Sequence, residues 1–87
     1  MTGDRLSLRQ AYRANLAAVY DRIASGEYGL SLEAHEYFIG FATSARIAFD
    51  TVGDAPAALV CQRAIDSLFA DRTNFLCVLR LIDDLGS

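Results

Sequence analysis

The sequence predicts an all-α fold, a small antiparallel four-helix bundle, on three observations. Apolar residues recur three and four positions apart in four successive stretches. Ser or Asp stands where each of the first three stretches begins, and Gly follows where the first two end. The single proline, Pro56, falls in a predicted first turn, where its missing N–H had no partner to lose.

Helix 1 is predicted over about 8–25. Ser7 is a good N-cap and Gln10 completes a capping box. Leu8, Tyr12, Leu16, Val19 and Ile23 form one stripe, and Gly26 suits the left-handed position after the last turn. Glu27 to Leu30, with Gly29, make a short loop. Helix 2 is predicted over about 32–51, with Ser31 as N-cap and Glu33 favouring the dipole. Its stripe is Ala34, Phe38, Phe41, Ala45, Ala48 and Phe49, and Gly53 and Asp54 end it. Helix 3 is predicted over about 55–70, capped by Asp54, with Ala58, Cys61, Ile65, Leu68 and Phe69 as its stripe. Asp71-Arg72-Thr73-Asn74 is rich in indifferent helix formers and reads as a break. Helix 4 is predicted over about 74–85. It is apolar on nearly every side, so it must be covered by its own chain, a second copy or a partner.

A second architecture competes with the bundle. Positions 58, 61, 65, 68, 72, 75, 79 and 82 keep a heptad rhythm through the proposed break, with only Arg72 off-pattern. One helix over 55–85 would be about 45 Å long and would have to dimerise to cover its far half. Charge placement favours four helices. Arg5, Arg9 and Arg13 oppose the dipole at the start of helix 1, and Asp83 and Asp84 oppose it at the end of helix 4. An up-down-up-down bundle makes these two ends neighbours, so each cluster neutralises the other.

Composition narrows function. At 87 residues and 53% hydrophobic, the chain has room for one domain and more apolar surface than a core that size easily buries. All eight basic residues are Arg, and the net charge is −3, which argues against a nucleic-acid backbone binder. The N-terminus has no apolar run of signal-peptide type, and the longest apolar runs are far short of a membrane span. A cytoplasmic protein follows, with Cys61 and Cys77 reduced. An antiparallel turn would set Cys77 opposite Leu68, not Cys61.

The catalytic inventory is thin. His35, flanked by Glu33 and Glu36, reads as a solvent-facing side chain, and no metal-ligand spacing accompanies it. No phosphate loop or nucleophile elbow occurs. No cofactor is implied. What remains is contact surface. The outer side of helix 2 carries Ile39, Thr43, Arg46 and Ile47, with Gly40 and Ser44 permitting close approach. The flank of helix 1 carries Arg9, Arg13 and Tyr20. Helix 4 adds Val78, Arg80 and Leu81. These ten residues point to a non-enzymatic module that binds another protein, of the bacterial or phage regulator or inhibitor kind, with a homodimer as a further expectation. Two alternatives stand beside it. One is a homo-oligomer holding an apolar ligand among Phe38, Phe41, Phe49, Phe69 and Phe75. The other is a small enzyme with an Arg-lined anion pocket.

Overall fold

Four helices follow one another: α1 (Thr2–Ala24), α2 (Leu32–Thr51), α3 (Ala55–Ala70) and α4 (Leu76–Leu85). The computed structural model describes residues 2–26, 32–71 and 75–86, with side chains from 6–26, 34–71 and 75–86. The expected Ser31 cap, the Glu27–Leu30 loop, and the Glu33 and Arg5 side chains lie outside what is described.

Each helix packs on its neighbours in a ring, α1 with α2, α2 with α3, α3 with α4 and α4 with α1. The predicted four-helix bundle is the fold. The alternative of one helix over 55–85 does not hold, because α3 stops at Ala70. Asp71 is extended (φ −144°, ψ 107°), and its N–H closes on the Ser67 carbonyl. The radius of gyration, 12.5 Å, is that of one compact domain of this length.

α1 begins five residues before Ser7, which lies inside the helix rather than capping it. Nothing from Thr2 to Leu6 except Gly3 resists helical geometry, so the local cap offers no reason to start later. The helix ends as expected, with Gly26 at φ +86° and its N–H on the Ile23 carbonyl. α4 begins at Leu76, two residues after the predicted start, and Phe75 precedes it without any side-chain cap bond.

The α2–α3 turn is built from three chemistries. Gly53 takes φ +77°, which a residue with a Cβ adopts only at a cost. Its N–H reaches Asp50 O at 3.1 Å, and the Asp54 N–H reaches Phe49 O at 2.8 Å. These two bonds satisfy the orphan carbonyls at the end of α2 in the Schellman pattern. Asp54 then caps α3, its Oδ1 accepting from the Ala57 N–H at 3.4 Å. Asp54 thus closes one helix and opens the next.

The core is one cluster drawn from all four helices. Its centre is Phe38, Phe49, Leu16, Leu68, Val78 and Cys61, each almost wholly buried. Phe38 meets Phe75, just before α4, at 5.3 Å between ring centroids and Tyr20 of α1 at 6.4 Å. Tyr12 of α1 meets both Phe41 and Phe49 of α2 at 5.5 Å. Small residues Ala42, Ala45, Ala57 and Ala64 let the helices approach between these rings.

Among the described residues, two polar ones are buried with them, His35 and Asp54. His35 was expected in solvent; instead its Nε2 donates to the Leu68 carbonyl at 2.7 Å. That carbonyl lies in the last turn of α3, where intrahelical partners run out. The two buried polar side chains therefore serve opposite ends of the same helix. Asp54 takes its start and His35 its finish.

Candidate functional site

The basic cluster of α1 divides. Arg9 clamps Asp54, its Nε on Oδ2 and an Nη2 on Oδ1, both at 2.6 Å. The paired hydrogen bond to Asp54 holds the Arg9 guanidinium above its ordinary pKa, against a smaller opposing effect of partial burial. The expected partners were Asp83 and Asp84, so Arg9 is a correction in detail. The bundle end is the predicted one, but the carboxylate belongs to the cap of α3. Arg13 does reach the end of α4. Its Nε donates to the Ile82 carbonyl at 3.2 Å, and the side chain lies across Gly86, where a Cβ would come within 2.6 Å of Nε. Positive charge thus meets the negative end of α4 through a backbone carbonyl. Arg9 and Arg13 are structural ties as placed.

Tyr20 and Ile39 are half-buried and packed against the core. Thr43 turns back on its own helix, its Oγ1 donating to Ile39 O at 2.7 Å. Arg46 is half-buried and near enough to Cys61 of α3 for its charge to be felt there, and its buried Nε finds no acceptor among the described residues. Ile47 is exposed, as is Tyr37 on the same helix. A Cβ on Gly40 would meet nothing within 4 Å, so the outward side of α2 is open there.

Helix α4 overturns part of the expected site. Val78 and Leu81 are 1% and 3% exposed, inside the monomer's own core, so they are not available to a partner. The periodicity that matters is Val78, Leu81, Ile82 and Leu85. Its other side is uncovered. Leu76 is 67% exposed, and Leu79 and Arg80 are also at the surface. Phe69, placed by sequence in the core stripe of α3, is 65% exposed. The α3 stripe closes at Leu68, and the next residue points away from it. Phe69 and Leu76 consequently flank the α3–α4 connection as two large apolar side chains in water.

Between α3 and α4 runs an open groove of about 360 Å³. Val60, Arg63, Ala64 and Ser67 line it from α3, and Leu76, Cys77, Arg80, Leu81 and Asp84 from α4. It exists because Ala64, Ser67 and Cys77 are short where longer side chains would fill the seam. None of the five phenylalanines expected around an apolar ligand lines it. Phe38, Phe49 and Phe75 are packed in the core, Phe41 packs against it, and Phe69 is outside. Cys77 is half-buried on the groove floor and Cys61 is fully buried; neither is in a disulfide. Burial pushes both thiols above their ordinary pKa, Cys61 to about 11.

Among the described residues, no three His, Cys, Asp or Glu side chains gather as metal ligands. Among the described residues, no helix is long and apolar enough to cross a membrane. No protein family, curated protein or solved structure matches the chain.

Proposed function

We propose that this chain is a non-enzymatic protein-binding module whose contact surface centres on the α3–α4 connection. The observation that carries the reading is the pair Phe69 and Leu76, 65% and 67% exposed. The bundle closes its own core without them, so they do not serve the monomer's packing. Burying such side chains favours association by about 2 kcal/mol each, and Leu79 and Arg80 extend the same surface along α4. Arg supplies the forked donor that interface centres favour.

A module this small acts by covering a site on its partner, as a regulator or inhibitor of the bacterial or phage kind would. A cytoplasmic setting is part of this reading, supported by two cysteines outside any disulfide. Self-association is a second reading, favoured by the open side of α2, where Tyr37 and Ile47 are exposed around Gly40.

Light scattering after size exclusion separates self-association from a monomer. Affinity capture from the source cells then compares the native chain with Phe69→Ser, Leu76→Ser and a control, Leu59→Ser, which removes another exposed apolar residue about 15 Å away, nearer the start of α3. The proposal requires one captured protein that the first two variants lose and the control keeps. A monomer that captures nothing, or a partner indifferent to Phe69 and Leu76, overturns it.

A further inference from the structure

We infer that the α3–α4 groove is a binding site for a small organic monoanion, a carboxylate carrying a short apolar tail. The inference stands apart from the protein-binding reading, since it needs no macromolecular partner. Two exposed arginines on a surface are ordinary by themselves. What distinguishes Arg63 and Arg80 is that they come from adjacent antiparallel helices and line the same depression. Neither forms an ion pair with a carboxylate among the described residues, although Asp84 shares the groove. Their donors are therefore unengaged at the place where an anion would sit. A planar guanidinium matches a carboxylate with two parallel hydrogen bonds.

The rest of the lining selects among anions. Ser67 adds a hydroxyl donor beside the arginines. Two positive charges and the one negative charge of Asp84 leave the groove at +1, which suits a monoanion better than a phosphate dianion. Val60 and Leu76 supply the apolar surface along which a short tail lies, over the buried Ala64 and Leu81. The volume, about 360 Å³, is at the lower end of small-molecule sites, which run from about 300 to 1,000 Å³. An open, half-polar trough of that size binds weakly, with a Kd of about 1 mM for a ligand of some ten heavy atoms.

The test titrates the folded protein with octanoate, and with acetate, octanol and octyl phosphate as separate arms, followed by amide shifts in a heteronuclear NMR spectrum. Octanoate should shift resonances of residues 60–67 and 76–84 saturably. Acetate and octanol should each bind at least about tenfold more weakly, because each lacks half of the match. Octyl phosphate as the dianion should also be weaker than octanoate. Arg63→Gln and Arg80→Gln should each weaken octanoate about tenfold, and Ser67→Leu, at an exposed position on the groove wall, should block the groove and abolish binding. Asp84→Asn should tighten it. Cys77 gives an independent readout, since octanoate should slow its alkylation by neutral iodoacetamide in the native chain but not in Arg80→Gln. Unchanged melting of the arginine variants separates lost binding from lost fold. Octanol binding as well as octanoate, shifts outside the groove, no saturable shift, or affinity indifferent to both arginines would each overturn the inference.

Discussion

The two ends of α3 are terminated in different ways. At the start, Asp54 closes α2, caps α3 and holds Arg9 of α1 in a two-pronged ion pair. At the finish, a single hydrogen bond from His35 reaches the Leu68 carbonyl, and the chain leaves with Phe69 exposed. Three helices converge on a buried carboxylate at one end. At the other, α4 begins without a side-chain cap and shows Leu76 to solvent. The first end is organised for stability. The second keeps apolar surface that contributes nothing to the monomer, which is where a contact function can reside without cost to the fold.

Substitutions that strike the two ends separately test that contrast. Asp54→Ala should have the largest effect of the substitutions at the two ends. It removes a cap and leaves Arg9 without its partner, so the loss should be about 3 kcal/mol, seen as a fall in Tm of about 15 °C. His35→Leu should cost less, about 1.5 kcal/mol by denaturant titration, because it strands one carbonyl and no charge. If the two losses are equal, the asymmetry of α3 is wrong. Gly53→Ala should cost about 1 kcal/mol through its positive φ alone, with the ion pair intact.

The interior between the ends should give a pH-dependent signal. The unfolded Cys61 thiol ionises near 9, whereas the folded one ionises near 11. Between those values the unfolded chain binds fewer protons, so stability falls as pH rises through that window. Cys61→Ala should remove that part of the slope. Smallest of all, Leu79→Asp should change stability by no more than about 0.5 kcal/mol, since Leu79 is part-exposed. Val78→Asp, one residue away in the core, should prevent folding.

The contrast also explains what the sequence made legible. α2 and α3 lie within their predicted bounds because Gly53, Asp54 and Pro56 act locally, each through its own backbone chemistry. The start of α1 was not legible from Ser7, because a good cap residue permits a helix to begin without requiring it. His35 was misplaced because its neighbours Glu33 and Glu36 suggested solvent. The spacing His35, Phe38, Ala42, Ala45, Phe49 carried the opposite signal, and the structure follows it. Phe69, Val78 and Leu81 were misassigned for one reason. In a helix apolar on most sides, periodicity does not say which side the neighbours take. The Arg9 partner was within reach, since an up-down-up-down order puts the starts of α1 and α3 at one end. The α3–α4 groove had no such signal. Ala64, Ser67 and Cys77 mark a depression only once their helices are in register.

The bracketing of α3 by side chains from outside it has a consequence for how its helicity can be measured. At sixteen residues, α3 is near the length at which an isolated helix is marginal in water. Its final carbonyls and the charge that steadies its cap depend on α2 and α1. A peptide of residues 55–70 should therefore be mostly coil by circular dichroism. In the whole chain, exchange of the Ala57 and Ala58 amides should report whether α1 is docked, although neither residue belongs to it.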